Sequence, residues 1–315
     1  MTALRASASW LGRQAALISA GLALATIAVA QIPGWHVGEL ARAWSGHAAL
    51  LLLPGWITYR HDPRWGRLFL LAVVVALLPW LRAAYQERAY QVPAASERLM
   101  SVSYAHLRPR TPGDPALRLA LAGGSSDLIG LTGATASERA LWAGDARHPH
   151  QIWLCDRDHP DGPALLSSAR IVTAHVLALG DSRAIDALID LGDGPLRVLL
   201  VHLSAPTSAE GWAAHRRELV ALASSAASVA EPLLVMGDLN TTPGDPLWPV
   251  LLKAGRLLPP PGHAPATWPT WLGPCGISLD HLLVRGAGVD AVQAVRLPDA
   301  DHRGLRAVLT VPFSP

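Results

Sequence analysis

Lysine is almost missing from this chain. Of its 26 basic residues only Lys253 is one, and charged residues make up only 16% of the whole. Net charge is +2, so no basic stripe points to nucleic acid as an extended electrostatic partner. Cysteine is scarce too. Cys155 and Cys275 are far apart and match no metal spacing, which excludes a disulfide framework or a cysteine-built zinc site. Two unpaired thiols are expected, or one disulfide if the domain is exported. No GxGxxG, no internal repeat and no low-complexity tract appears beyond a Pro-rich loop at 258–265.

Apolar residues, by contrast, are abundant. They form 50% of the chain, and mean hydropathy is +0.26. Such values describe a membrane segment averaged with a globular part. The length of 315 residues suits a domain of roughly 200–250 residues plus one further element.

Three apolar runs open the chain, at about 15–32, 48–59 and 68–81. Trp35, Trp44, Trp56, Trp65 and Trp80 lie near their ends, where interfacial aromatics belong. Residues 1–84 are therefore expected to be a membrane anchor of about three transmembrane helices. A cleaved signal peptide would have a shorter apolar region and no second or third run. Arg5 and Arg13 precede the first run, and Arg60, Arg64 and Arg67 fill the loop after the second. The positive-inside rule puts both segments on the cytoplasmic side. The chain after residue 81 then emerges outside, although Arg82 and Arg88 run against this orientation. The expected location is a bacterial inner membrane, with the soluble domain facing the periplasm or cell exterior.

A polar linker at 85–98 leads into a domain at 99–315. Strands are expected at 100–104, 127–131, 151–155, 184–191, 196–202, 232–236, 278–284 and 307–311, and helices at 137–143, 210–230 and 246–254. Many strands with few, irregularly spaced helices argue for an α/β domain with helices outside packed sheets.

Polar residues mark the edges of these strands. "LLVHLSAP" ends a run on His202, and "VMGDLN" ends one on Asp238 with Asn240 beyond it. Strand periodicity would put Asp238 and Asn240 on one face, although Asp-Leu-Asn alone is most often turn chemistry. "SLDHLLV" opens a strand with Asp280 and His281, and "DADHRGL" places Asp301 and His302 before the last strand. A lone strand-end histidine is usually structural; four polar insertions at strand edges suggest convergence on one cleft.

With "TWPT" added, these stretches resemble the endonuclease/exonuclease/phosphatase (DNase I-like) superfamily, in its membrane-anchored bacterial branch. The resemblance implies a four-layer α/β sandwich: two packed β-sheets flanked by helices, here preceded by the transmembrane segment. It implies a metal-dependent phosphoric-ester hydrolase using Mg2+ or Mn2+, with a phosphate-ester substrate and the lipid bilayer as partners. By motif, His302 would contact the phosphate and move protons, with Asp280 orienting its ring. Asp238 would orient or activate water, Asn240 would hold the phosphate or the metal shell, and His202 would donate to the phosphate. Asp301 would be the metal carboxylate, and Trp268 would line the substrate side.

The first half of the motif set departs from the family. Ala105 stands where an Asn is expected, and Thr132 and Gly133 stand where a Gln-Glu pair is expected. Glu138 reads as a helix N-terminal acid, Asp127 lies at the wrong end of its strand, and His106 should face away from Ala105. The resemblance then implies a weakly bound or absent metal and weakened activity. The alternative is a catalytically inactive copy of the fold, acting as a membrane-tethered binding or structural subunit with a membrane-protein partner.

Overall fold

The computed structural model describes residues 2–30, 32, 34–74, 97–107, 115–122 and 126–312. The chain divides into two compact units, one helical and one carrying all the strands.

The helical unit contains α1 (Thr2–Ala30), α2 (His36–Ala43), α3 (Ser45–Tyr59) and helical residues 65–74, here α4. Small residues let these helices close on one another. Ala20, Ala23 and Ala48 pack with Leu52 and Phe69. Gly55 lies so near Phe69 that a Cβ there would stand 2.3 Å from the ring. Arg42 ties α2 back to α1 by donating to Ala30 O at 2.6 Å. The outward residues are apolar as well: Leu17, Ile18, Leu22, Leu50, Leu53, Ile57, Leu68 and Leu71 are all exposed.

Even so, among the described residues no helix is long and apolar enough to cross a membrane. This corrects the expectation of three spans within the described segment. The apolar part of α1 covers residues 15–30, about 24 Å at 1.5 Å per residue, against roughly 30 Å of hydrocarbon. The 15 residues of α3 reach no further and contain Pro54. The third expected run extends past residue 74, and the linker lies almost wholly at 85–96; both stretches fall outside the described residues.

The second unit is a sandwich. Its first sheet contains β1 (Glu97–His106), β2 (Leu128–Thr135), β3 (His150–Trp153), β4 (Asp161–Ser167), β10 (Gly288–Val289), β11 (Gln293–Val295) and β12 (Gly304–Pro312). The order is β10-β12-β1-β2-β4-β3, with β11 also on β12. The second sheet runs β5-β6-β7-β8-β9, made of β5 (Arg170–Leu179), β6 (Ser182–Asp190), β7 (Pro195–His202), β8 (Leu233–Asp238) and β9 (Asp280–Arg285).

Alternation along the strands builds three cores. Val102, Tyr104 and Leu309 of one sheet meet Val198, Leu200 and Met236 of the other between the sheets. The outer face of the second sheet packs on α7 (Ala209–Ser228) and α8 (Trp248–Gly255) through Leu199, Val235, Leu222 and Leu251. The outer face of the first sheet packs on α5 (Pro115–Ala122) and α6 (Ala136–Leu141) through Ala105, Leu131 and Leu121. Helix, sheet, sheet and helix make the expected four layers. The strands β4, β5, β10 and β11 and the helix α5 are additions to the sequence expectation, and both cysteines are free.

One feature of the topology places the site. β1 runs parallel to β2, and β7 parallel to β8, so four strand ends gather at one edge. In register, His106 stands beside Thr132 on the first sheet. On the second sheet, His202, Asp238 and Asp280 lie in one row across three strands.

Candidate active site

β8 carries a glycine just before Asp238 for a steric reason. Gly237 has φ +149°, and a Cβ there would stand 1.9 Å from Val201 O on the neighbouring parallel strand. Only glycine lets β8 come in close enough to deliver Asp238 beside His202. Asp238 is buried, and its Oδ1 accepts from Asn240 N at 2.8 Å.

Asn240 does not share a strand face with Asp238. It sits at φ +47°, a left-handed conformation asparagine tolerates well, and the strand has ended two residues before it. Its side-chain amide donates to Leu203 O at 2.8 Å and reaches Asp238 Oδ2 only at 3.4 Å. Asn240 thus clamps the loop after β7 to the end of β8.

A buried polar contact in the cleft joins His302 to Asp280, Nδ1 to Oδ2, at 2.9 Å. Both are buried, and the other oxygen of Asp280, Oδ1, is buried with no hydrogen-bond partner. Thr267 fixes Asp280 from behind: its hydroxyl accepts from Leu279 N at 3.1 Å and Asp280 N at 3.3 Å. Burial works against a charged ring at His302, but the Asp280 carboxylate outweighs it and lifts this histidine to about 9, with help from Asp238 and Asp301. Asp238 is pushed up by burial and by Asp280, while Asp280 is held low, against its burial, by His302. Of the two buried carboxylates, Asp238 is the more basic.

His106 is the residue that sequence reasoning set aside. It does face away from Ala105, and that face is the cleft. Ala105 is buried under α5 and α6 instead. The His106 ring lies 4.7 Å from that of His202 and 4.4 Å from that of His302. Burial and those two rings depress it to about 3, so it is neutral. Its Nδ1 is 3.0 Å from Thr132 Oγ1, which is itself 2.6 Å from the hydroxyl of Tyr104. Burial and the carboxylates of Asp280 and Asp238 keep Tyr104 protonated.

The remaining expected residues divide. His202, its side chain 41% exposed, stands at the mouth with Nε2 3.9 Å from Asp238 Oδ2. Burial lowers its basicity. Asp301 is half-buried and close enough to act on His302 and Asp238. Its backbone carbonyl accepts from Thr270 N at 2.8 Å. Trp268 is half-buried and bridges to Ile277, while Trp271 in the same loop is 81% exposed. His281 points to the helix side, with Nε2 2.9 Å from Thr241 O and its ring 4.5 Å from Trp248. Glu138 is consumed by a capping box with Thr135. Glu218 of α7, which drew no notice in the sequence, is buried and accepts from Ser204 N at 2.6 Å, holding the loop that follows His202.

His106, Asp238 and His302 each offer a metal-ligating atom, all within 4.8 Å of one another. Mg2+ does not fit this set well: it takes oxygen ligands in near-ideal octahedral geometry. Asp238 contributes the only carboxylate of the group; the rest is imidazole.

The chain's sequence matches the Endonuclease/Exonuclease/phosphatase family over residues 76–303. Among solved structures it is similar to a humanized TDP2 from D. rerio, at 14% identity and TM-score 0.55, covering 67% of this chain and 98% of that one. An endonuclease/exonuclease/phosphatase protein from Beutenbergia cavernae shares 18% identity at TM-score 0.53, covering 68% and 72%. Sphingomyelinase C from Streptomyces griseocarneus shares 17% at TM-score 0.50, covering 68% and 99%. These likenesses show the fold. No curated protein matches the chain.

Proposed function

The chain belongs to the endonuclease/exonuclease/phosphatase family, and from that premise we propose that it is a phosphoric-ester hydrolase whose proton chemistry is carried by His302 and Asp280. The observation that carries this reading is the 2.9 Å contact between these two buried groups, in a row of polar strand ends. Asp280 fixes the ring and favours its charged form. A cationic His302 attracts a phosphoryl oxyanion and has a proton to give to the leaving oxygen. Asp238, raised toward the working pH, is suited to accept the proton of an attacking water. His202 at the mouth offers a further donor to the phosphoryl oxygens.

Turnover is expected to be slow. Neither Thr132 nor Gly133 supplies the carboxylate that the family resemblance calls for, and Glu138 is spent on a helix cap. The helical unit supports a seat on a lipid bilayer, since leucines and isoleucines cover its outside. The arginine distribution supports a catalytic unit outside the cytoplasm.

The test is hydrolysis of bis-(p-nitrophenyl) phosphate by the purified full chain. His302→Ala and Asp280→Ala should each lower the rate by about 10²-fold or more. Equal rates in wild type and both variants would overturn the assignment. No turnover by the wild type under any divalent ion would favour the inactive, membrane-tethered subunit.

A further inference from the structure

We propose that His106, His202 and Asp238 form a binding site for a divalent transition ion of the Zn2+, Co2+ and Mn2+ type, selected over Mg2+. This deepens the phosphoric-ester reading and takes from it only that this cleft is the working site.

The argument starts from two distances to one oxygen. His106 Nδ1 lies 3.7 Å from Asp238 Oδ2, and His202 Nε2 lies 3.9 Å from the same atom. Both are too long for hydrogen bonds. They fall between the roughly 3.0–3.5 Å of cis ligands and the about 4.2 Å of trans ligands that bonds of about 2.0–2.2 Å give, so both rings must close on the oxygen to share one ion with it.

The surroundings hold each donor in place. Asp238 Oδ1 is fixed by Asn240 N, leaving Oδ2 toward the two rings. Tyr104 and Thr132 steady the His106 ring through contacts of 2.6 Å and 3.0 Å that end at its Nδ1 edge, and the Thr132 hydroxyl would turn its proton away to leave the Nδ1 lone pair to the ion. Glu218 holds the loop that follows His202. Such outer partners are what orient metal-binding imidazoles and carboxylates. His302 also comes within reach, but Asp280 occupies one of its ring nitrogens, and the other is the one left for phosphate.

Two imidazoles and one carboxylate select by ligand type. Imidazole suits Zn2+, Co2+ and related ions, whereas Mg2+ is served by carboxylate, carbonyl and water. The departure from the family at the first two strands therefore changes the ion rather than simply removing it.

The experiment uses the full chain in mild detergent, stripped with chelator. Mg2+, Mn2+, Co2+ and Zn2+ are titrated by calorimetry, and Co2+ binding is also followed by its visible absorption. Co2+ and Zn2+ should bind at least about 100-fold tighter than Mg2+. His106→Ala and His202→Ala should each weaken Co2+ by about 10- to 100-fold and shift its absorption, while His302→Ala stays within about threefold. His106→Asn, checked by thermal melting, separates ligand loss from misfolding. Mg2+ binding as tight as Co2+, or Co2+ affinity unmoved in folded His106→Asn, overturns the site. Loss on His302→Ala in place of His202→Ala overturns the ligand set. Phosphodiester turnover measured on the same samples is a separate readout: Co2+ binding at His106 without turnover supports the site and counts against hydrolysis, and turnover without such binding does the reverse.

Discussion

Gly133 lies against Leu107 so closely that a Cβ on the glycine would stand 2.2 Å from the leucine's carbonyl oxygen. Its φ is +68°, in the left-handed region. The two residues meet because β2 bulges between Leu131 and Ala134 and returns a hydrogen bond, Leu107 N to Thr132 O, at 2.8 Å. A carboxylate cannot be restored at this position. Gly133→Glu, and even Gly133→Ala, should destabilise the sandwich by roughly 2–6 kcal/mol, from left-handed strain and overpacking together. Urea melts of the full chain check this. A variant as stable as wild type would mean that the bulge can move.

The adjacent Thr132 is the position that faces the cleft. Thr132→Glu should keep more stability than Gly133→Glu and bring a second carboxylate near Asp238. Mg2+ affinity, measured by calorimetry, should then rise by at least about tenfold, as a hard oxygen donor is added. An unchanged affinity in a folded variant would show that position 132 does not reach the ion.

How far the sequence goes is clearest at these strands. Buried strands with a polar tip announce themselves: β7, β8 and β9 each join an apolar run to His202, Asp238 or Asp280, and the residues do meet. β5 escaped because it is an edge strand exposed on most positions, with no buried face to set a period. β4 escaped because it opens with Asp-Gly-Pro, which reads as a turn. His106 and Thr132 escaped for a different reason. Which face of β1 looks into the cleft depends on the partner sheet, and no local pattern carries that information. Asn240 was misplaced because strand periodicity was carried past the residue where its backbone turns left-handed.

Asp280 is expected to matter through His302 more than by itself. Asp280→Asn keeps the shape but removes the charge that sustains the imidazolium. The His302 titration, followed by NMR in the absence of divalent ions, should move down from about 9 toward or below the ordinary histidine value. An unmoved titration would mean that Asp238 and Asp301 suffice to hold the charge.

The helical unit should hold the chain on membranes. The full chain should float with lipid vesicles, and a chain beginning at residue 97 should not. Fusion at that residue of a reporter active only outside the cytoplasm should give signal. Activity of a cytoplasm-only reporter at the same position would reverse the orientation read from Arg5, Arg13, Arg60, Arg64 and Arg67.

The histidines also predict how stability responds to pH when no divalent ion is present. His302 is raised to about 9, so the folded chain binds its proton more tightly than the unfolded one. That stabilisation is complete below about 6.5 and is lost as pH rises through 9. His106 is lowered to about 3, so between 6.5 and 3 only the unfolded chain takes up its proton, and stability falls as pH falls. His202 and His281, also lowered by burial, add to this acid limb, while Asp238, raised, works against it. Stability should therefore peak near pH 6.5, each group changing it by up to about 1.4 kcal/mol per pH unit inside its window. Denaturant midpoints in EDTA between pH 4 and 9 check the shape. His106→Asn should flatten the acid limb and His302→Asn the alkaline one. A profile that climbs steadily to pH 9 in the wild type would mean that His302 is not held charged by Asp280, and the proton assigned to it in hydrolysis would have to come from another group.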